Sequence, residues 1–181
     1  MRDLPQHRPV LAGTVHNGTS EAGVRLEALP EGHLLHVLGA IESSALTGAL
    51  AKVGFAKSAI RKAGFRQWFV AGDEPLVPAS LDALAAALAG KAYVMDQSHG
   101  RVRIGVSGRS SRVLLSKGTA VDLDPAVFLE GHSVMTMVGH LSVQIVRTGE
   151  DSFELTVLRS FAESLWEDLS HMAASAEKDS A

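Results

Sequence analysis

Cysteine is absent from this 181-residue chain, which excludes disulfides, thiolate zinc sites and cysteine nucleophiles together. Aromatic residues make up only 5 %, too few for the stacking platforms on which RNA recognition relies. Neither sign of charge dominates: the formal net charge is −3, so no global field recruits nucleic acid or an anionic membrane. Long apolar runs are also missing. The longest apolar-rich stretch, 81–88, is mostly alanine and contains Asp82, far short of the ~20 apolar residues that a membrane helix needs. The opening MRDLPQHRPV lacks the continuous apolar core of a signal peptide. The expectation is a cytoplasmic protein with neither nucleic acid nor membrane as partner. At 46 % hydrophobic residues, the chain can bury a substantial core, in one domain or two small ones.

Residues 1–22 show no periodicity and read as an extended N-terminal arm, disordered unless a partner holds it. The Asn17-Gly18-Thr19 sequon carries no meaning without a secretion signal. From Gly23 the pattern sharpens. Residues 24–29 and 33–38 read as two strands joined in a hairpin by Pro30-Glu31-Gly32. Ser43 or Ser44 can cap a helix carrying Leu46, Ala49, Leu50 and Val53 at helical spacing, and 54–64 has no clear pattern. A strand over 65–71 and a second helix, capped by Ser80 and stopped by Gly90, complete a first half over 23–91.

The second half, 92–173, opens with VMDQSHGRVRIGVSGRSSRVLLSKG, read as strand, turn, strand and short helix. Val102, Ile104 and Val106 alternate with Arg103 and Gly105; Val113 and Leu114 share a helix side; Gly118 stands where a C′ glycine belongs. Strands are predicted at 133–138, 141–147 and 153–158. A last helix begins at Ser160, with Glu163 completing a capping box and Phe161, Leu165, Trp166, Leu169 and Met172 as its buried stripe. Residues 174–181 read as a flexible tail. The halves echo one another: Gln67 to Glu74 against Gln144 to Asp151, and Val24-Arg25-Leu26 against Val102-Arg103-Ile104. The prediction is an α+β fold of two pseudo-repeated antiparallel sheet-plus-helix units.

Signatures of catalysis are missing one by one. Gly105-Val106-Ser107-Gly108 is one residue short of a nucleophile elbow, and Gly90-Lys91-Ala92 is not a phosphate loop. His33 and His36 point to opposite faces if they lie in a strand, and His132 and His140 flank a strand rather than converge. His99 follows Asp96 in a turn, where a local hydrogen bond suits it better than a metal. Asp122 and Asp124, beside Pro125, suit Asx turns. Charge distribution is the uneven feature. No acid falls between Glu42 and Asp73, where Lys52, Lys57, Arg61, Lys62 and Arg66 lie; none falls between Asp96 and Asp122, where Arg101, Arg103, Arg109, Arg112 and Lys117 lie. Such stretches form solvated faces or dock on an acidic partner, and the poverty of aromatics sets protein docking ahead of RNA.

The order MDQSHGRVRIGVSG, LLSKGTAVDLDPAVFLEG, HLSVQIVR and FELTVLRSFAESLWEDL resembles the gamma subunit of heterotetrameric sarcosine oxidase, over most of the chain beyond the first 20 residues. That family is similar in turn to the folate-binding aminomethyltransferase domain of the glycine cleavage system. The resemblance implies a cytoplasmic complex with alpha, beta and delta subunits that demethylates sarcosine to glycine, forming peroxide and methylenetetrahydrofolate. It implies FAD, FMN and NAD in the larger partner chains and zinc in the small one, with no cofactor in this chain. Aminomethyltransferases carry adjacent aspartates on the strand after a glycine like Gly139, whereas residues 140–147 here contain no carboxylate. By that departure the resemblance implies a non-catalytic scaffold, with a stand-alone folate- or tRNA-linked protein as the alternative. His99, Arg101, Arg103, Arg61 and Lys62, with the N-terminal arm, are then the candidate contacts with partner chains.

Overall fold

A computed structural model describes residues 8–11, 14–17 and 23–179. The sequon at 17–19, the rest of the arm and the last two residues lie largely outside them. Among the described residues ten strands run in chain order: β1 (Val15–Asn17), β2 (Arg25–Ala28), β3 (His33–Gly39), β4 (Ala59–Gly64), β5 (Gln67–Gly72), β6 (Ala92–Asp96), β7 (Arg101–Ser107), β8 (Ser133–Val138), β9 (Leu141–Gly149) and β10 (Ser152–Leu158). Four helices join them: α1 (Ser43–Lys52), α2 (Pro78–Ala87), α3 (Ser111–Ser116) and α4 (Ala162–Asp179). The strands form a six-stranded sheet, β1-β2-β7-β10-β9-β8, and a four-stranded sheet, β4-β5-β3-β6. Every pairing is antiparallel.

Each sheet buries one face under two helices. Leu35, Val37 and Val70 pack with Leu46 and Leu50 of α1 and with Leu84 of α2. Val102, Ile104, Ile145, Leu155 and Val157 pack with Leu114 and Leu115 of α3 and with Leu165 and Leu169 of α4. Burying a leucine or isoleucine fully contributes roughly 1.5–3 kcal/mol, so these two layers supply most of the folding energy. The opposite faces of the two sheets look at each other and carry polar residues.

The predicted α+β duplication is present, but its boundaries fall elsewhere. The smaller unit is β3-α1-β4-β5-α2-β6, a split βαβ pair with β5 inserted between β3 and β4. The larger repeats this plan as β7-α3-β9-β10-α4, with β8 as an added edge. Its fourth strand comes from the chain start: β2 lies beside β7, Leu26 opposite Val106. Meanwhile β6, in the second half by sequence, completes the small sheet with Val94 opposite Val37. Pro30-Glu31-Gly32 is therefore no hairpin turn but a crossing between sheets, and 97–100 is another. Topology equates β5 with β10 and makes β2 and β7, where Val24-Arg25-Leu26 and Val102-Arg103-Ile104 fall at different registers, neighbours in one sheet, so the two sequence echoes do not mark equivalent positions.

Local departures have local causes. β4 forms where the pattern was silent, pairing with β5 across the Phe65-Arg66 turn, and Arg66 takes φ 55°. α1 begins after Glu42 without a side-chain cap, and α2 begins at Pro78, whose fixed φ suits a first helical position, rather than at Ser80. α4 starts at Ala162 after a 3₁₀ turn over Arg159–Phe161, so Ser160 does not open it, and Phe161 is exposed. Leu165, Leu169, Trp166 and Met172 do face the core. The helix continues to Asp179, through the stretch expected to be a tail. In α3, Leu115 rather than Val113 joins Leu114 inside. Gly118 takes no left-handed turn; a Cβ there would lie 2.8 Å from Met172 Cε and 3.0 Å from Val138 Cγ1, so both side chains would have to give way. The described part of the arm is held by the body. Leu11 is buried, the Val10 amide donates to Glu31 Oε1 at 3.1 Å, and β1 extends the large sheet. No helix among the described residues is long and apolar enough to cross a membrane.

Candidate functional site between the sheets

The facing sheet surfaces meet through charge. On β7, β9 and β10 the residues alternating with the core set are Arg101, Arg103, Gln144, Glu154 and Thr156. On β3, β4 and β5 they are His36, Arg61, Gln67 and Phe69. Glu154 Oε2 lies 3.6 Å from Arg103 Nη1 and 3.7 Å from Arg61 Nη2, bridging two guanidiniums from different sheets. Arg103 Nη2 also donates to Asp73 Oδ1, in the loop after β5 of the small sheet, and at 3.0 Å to the Pro30 carbonyl, in the segment that crosses between the sheets. Glu154 Oε1 and Arg61 Nε are buried with no hydrogen-bond partner. A cleft of about 290 Å³ opens beside this cluster, lined by Leu29, Asp73, Arg103, Gly105 and Glu154 among others.

A second contact layer is built on backbone. The Lys62 carbonyl accepts from Ser133 Oγ at 2.7 Å and Gln144 Nε2 at 3.0 Å, tying β4 to β8 and β9. The Lys62 side chain is exposed. Of the candidates named from sequence, the fold thus brings Arg61 and Arg103 together around Glu154 and leaves Lys62 pointing outward. Arg103, only 8 % exposed, is engaged inside the chain rather than presented at its surface. His99 is exposed in the 97–100 turn, where Asp96 Oδ1 accepts from the Ser98 amide at 2.8 Å. Arg101 lies over the Phe69 ring, 4.7 Å from its centroid, and burial holds its pKa below the usual value. Sequence reasoning missed Glu154 and Arg147. The one signal for Glu154 was a lone carboxylate inside the apolar strand Phe-Glu-Leu-Thr-Val-Leu.

His33 and His36 do point to opposite faces. His33 bonds Ser58 Oγ at 2.7 Å and the Glu74 carbonyl at 2.8 Å beside Phe55. His36 bonds Gln67 Oε1 at 3.2 Å beside Phe69. Burial lowers the His36 pKa; the Gln67 bond raises it and Arg101 lowers it further. Folding favours the neutral form of a base whose pKa it depresses, so the unfolded chain binds more protons as the pH falls below about 6.5. His36 should therefore cost stability as the pH falls from that value toward its lower folded pKa, with no effect above it. Above neutrality the urea midpoints of the wild type and His36→Gln should differ by a constant amount. As the pH falls below about 6.5 the variant should fall less steeply; curves that stay parallel there would refute this. Among the described residues no three His, Asp or Glu side chains converge as metal ligands. Asp122 and Asp124 form the expected Asx turns, accepting from the amides of Asp124 and Ala126 at 2.9 and 2.8 Å.

The profile of the sarcosine oxidase, gamma subunit family matches residues 44–177, from α1 into the last turns of α4. The chain belongs to the sarcosine oxidase gamma subunit family. Sarcosine oxidase subunit gamma of Corynebacterium sp. (strain U-96) is 28 % identical over 148 residues, spanning 80 % of this chain and 70 % of that one. The heterotetrameric sarcosine oxidase of Corynebacterium sp. U-96, in complex with pyrrole 2-carboxylate, contains a chain of the same fold. It aligns with TM-score 0.76 at 24 % identity over 88 % of both chains. The glycine cleavage system aminomethyltransferase T of Bartonella henselae aligns with TM-score 0.53 at 17 % identity, covering 80 % of this family member and 44 % of that chain. The expected likeness to the aminomethyltransferase fold is thus present.

Proposed function

We propose that this chain is the non-catalytic, structural gamma subunit of a heterotetrameric sarcosine oxidase. The family match over both units carries the reading. In this assembly the alpha, beta and delta subunits are the partners, and they hold FAD, FMN, NAD and zinc. The complex works in the cytoplasm, converting sarcosine to glycine with peroxide and methylenetetrahydrofolate as products. The chain's own chemistry supports a scaffold. β9, where an aminomethyltransferase carries adjacent aspartates, runs Leu-Ser-Val-Gln-Ile-Val-Arg and offers neither a base nor an anion to steady an iminium. The ionic cluster between the sheets is used to join them, Glu154 being flanked by two guanidiniums of the same chain.

Co-expression with the other subunits, purification through a tag on this chain, an absorbance spectrum and a sarcosine-dependent peroxide assay test the proposal. A yellow, active complex is expected from co-expression, and a colourless, inactive protein from the chain alone. A lone chain that recovers no other subunit but binds tetrahydrofolate would overturn it in favour of a stand-alone folate protein.

A further inference from the structure

Two sheets packed back to back leave no apolar surface uncovered if they close along their full width. Here they close where Arg61, Arg103, Glu154 and Gln144 meet, and the rest stands open. Register shows what lies on the open side. On the small sheet, edge strand β6 carries Met95 opposite His36 and Tyr93 opposite Leu38. On the large sheet, Leu158 stands opposite Arg101, and edge strand β8 carries Met137 opposite Ser142 and Met135 opposite Gln144. Tyr93 is 81 % exposed, and Met95, Met135, Met137 and Leu158 are each exposed by more than a third. Arg101, Phe69 and His36 connect the two sets, since Arg101 lies over Phe69 and His36 is tilted against the same ring. Arg101 Nε is buried without an acceptor, and among the described residues no carboxylate pairs with Arg101.

A strip of this kind costs free energy in water twice over, through its apolar area and through a partly desolvated, unpaired cation. A covering surface relieves both if it brings apolar side chains and an anion. We propose that this open wedge is the docking surface for a partner subunit, and that it receives an apolar segment whose carboxylate pairs with Arg101. The proposal rests on the subunit reading above and adds the surface to it. A second copy of this chain fits poorly: a two-fold contact sets the same strip against itself, and the strip offers Arg101 to Arg101 with no carboxylate. Methionines suit such a site because their unbranched chains adapt to a facing surface.

The test uses the co-expressed complex with Tyr93→Glu and Met137→Glu made singly and Val113→Glu, on the exposed side of α3, as control. The two strip variants should recover at least tenfold less partner subunit through the tag while the isolated chains melt at the wild-type temperature. The control should recover a wild-type amount. Arg101→Met, which keeps a long side chain over Phe69, should weaken recovery and remove part of its salt dependence; an unchanged salt dependence would overturn the carboxylate. If the wild type recovers partners and both strip variants recover as much, the wedge is not the docking surface, although the subunit reading stands. Equal loss in all variants, control included, likewise overturns the wedge. If the wild type recovers none, the subunit reading itself falls. A dimer of the lone chain that Met137→Glu dissolves would assign the strip to a second copy instead.

Discussion

Replacing Glu154 with alanine is expected to lower the unfolding free energy of the isolated chain by about 3 kcal/mol, read from urea transitions. Removing one member of a buried ionic cluster typically costs 3–5 kcal/mol, because the remaining charge is stranded away from water. Arg61 and Arg103 both approach Glu154, and only Arg103 keeps another anion, Asp73. The loss should therefore come mainly through Arg61. Glu154→Leu combined with Arg61→Met removes the stranded charge with its partner and should recover most of the loss, since apolar replacements of buried pairs are often neutral or better. Two single losses that add in the double variant would show that the charges do not act on each other across the sheets.

Arg147→Ala should have an effect of similar size, about 3 kcal/mol, by a different route. Arg147 lies at the irregular end of β9 and turns its guanidinium between the β9–β10 turn and the linker joining α3 to β8. Nη1 donates to the Phe128 carbonyl at 2.9 Å, Nη2 to the Glu150 carbonyl at 3.0 Å and Nε to the Gly149 carbonyl at 3.0 Å. Hydrogen bonds to a charged donor are worth about 1.5–3 kcal/mol each, and truncation leaves the Phe128 carbonyl without this charged partner. Lysine cannot replace the fork, as its ammonium is a single point on a flexible stem. Arg147→Lys should thus resemble the alanine variant in melting temperature, and proteolysis should reach residues 120–132 first. A lysine variant as stable as wild type would refute the fork.

Strand positions were legible where alternation was strong. The last three strands appear within two residues of expectation, because Val143, Ile145, Phe153, Leu155 and Val157 are spaced for one buried face. Pairing partners were not legible. A Pro-Glu-Gly turn gives the same local signal whether the strands it joins lie side by side or in different sheets, and only long-range packing decides. The charges misled for a related reason. Arg103 alternates with valine and isoleucine as a solvent-facing residue would, but the face it occupies is turned toward the second sheet. Alternation reports which side of a strand is polar; it carries no information about what stands opposite. The helix starts failed where serine was given weight that proline and backbone geometry took instead, as at Pro78.

The pairing of β2 with β7 also bears on how the chain folds. Leu29 donates to the Arg103 carbonyl at 3.0 Å, so the two strands are the arms of one hairpin whose loop is the entire small unit. A flexible loop of that length carries a closure cost that grows with the logarithm of its size. Once β3 to β6 have folded, Pro30 and Gly100 are held by a rigid body and that entropy has already been lost. The small unit is in topology an insertion between the hairpin's two arms, and if its contacts form first they deliver those arms to each other, so the expected order on the folding pathway is small unit before large sheet.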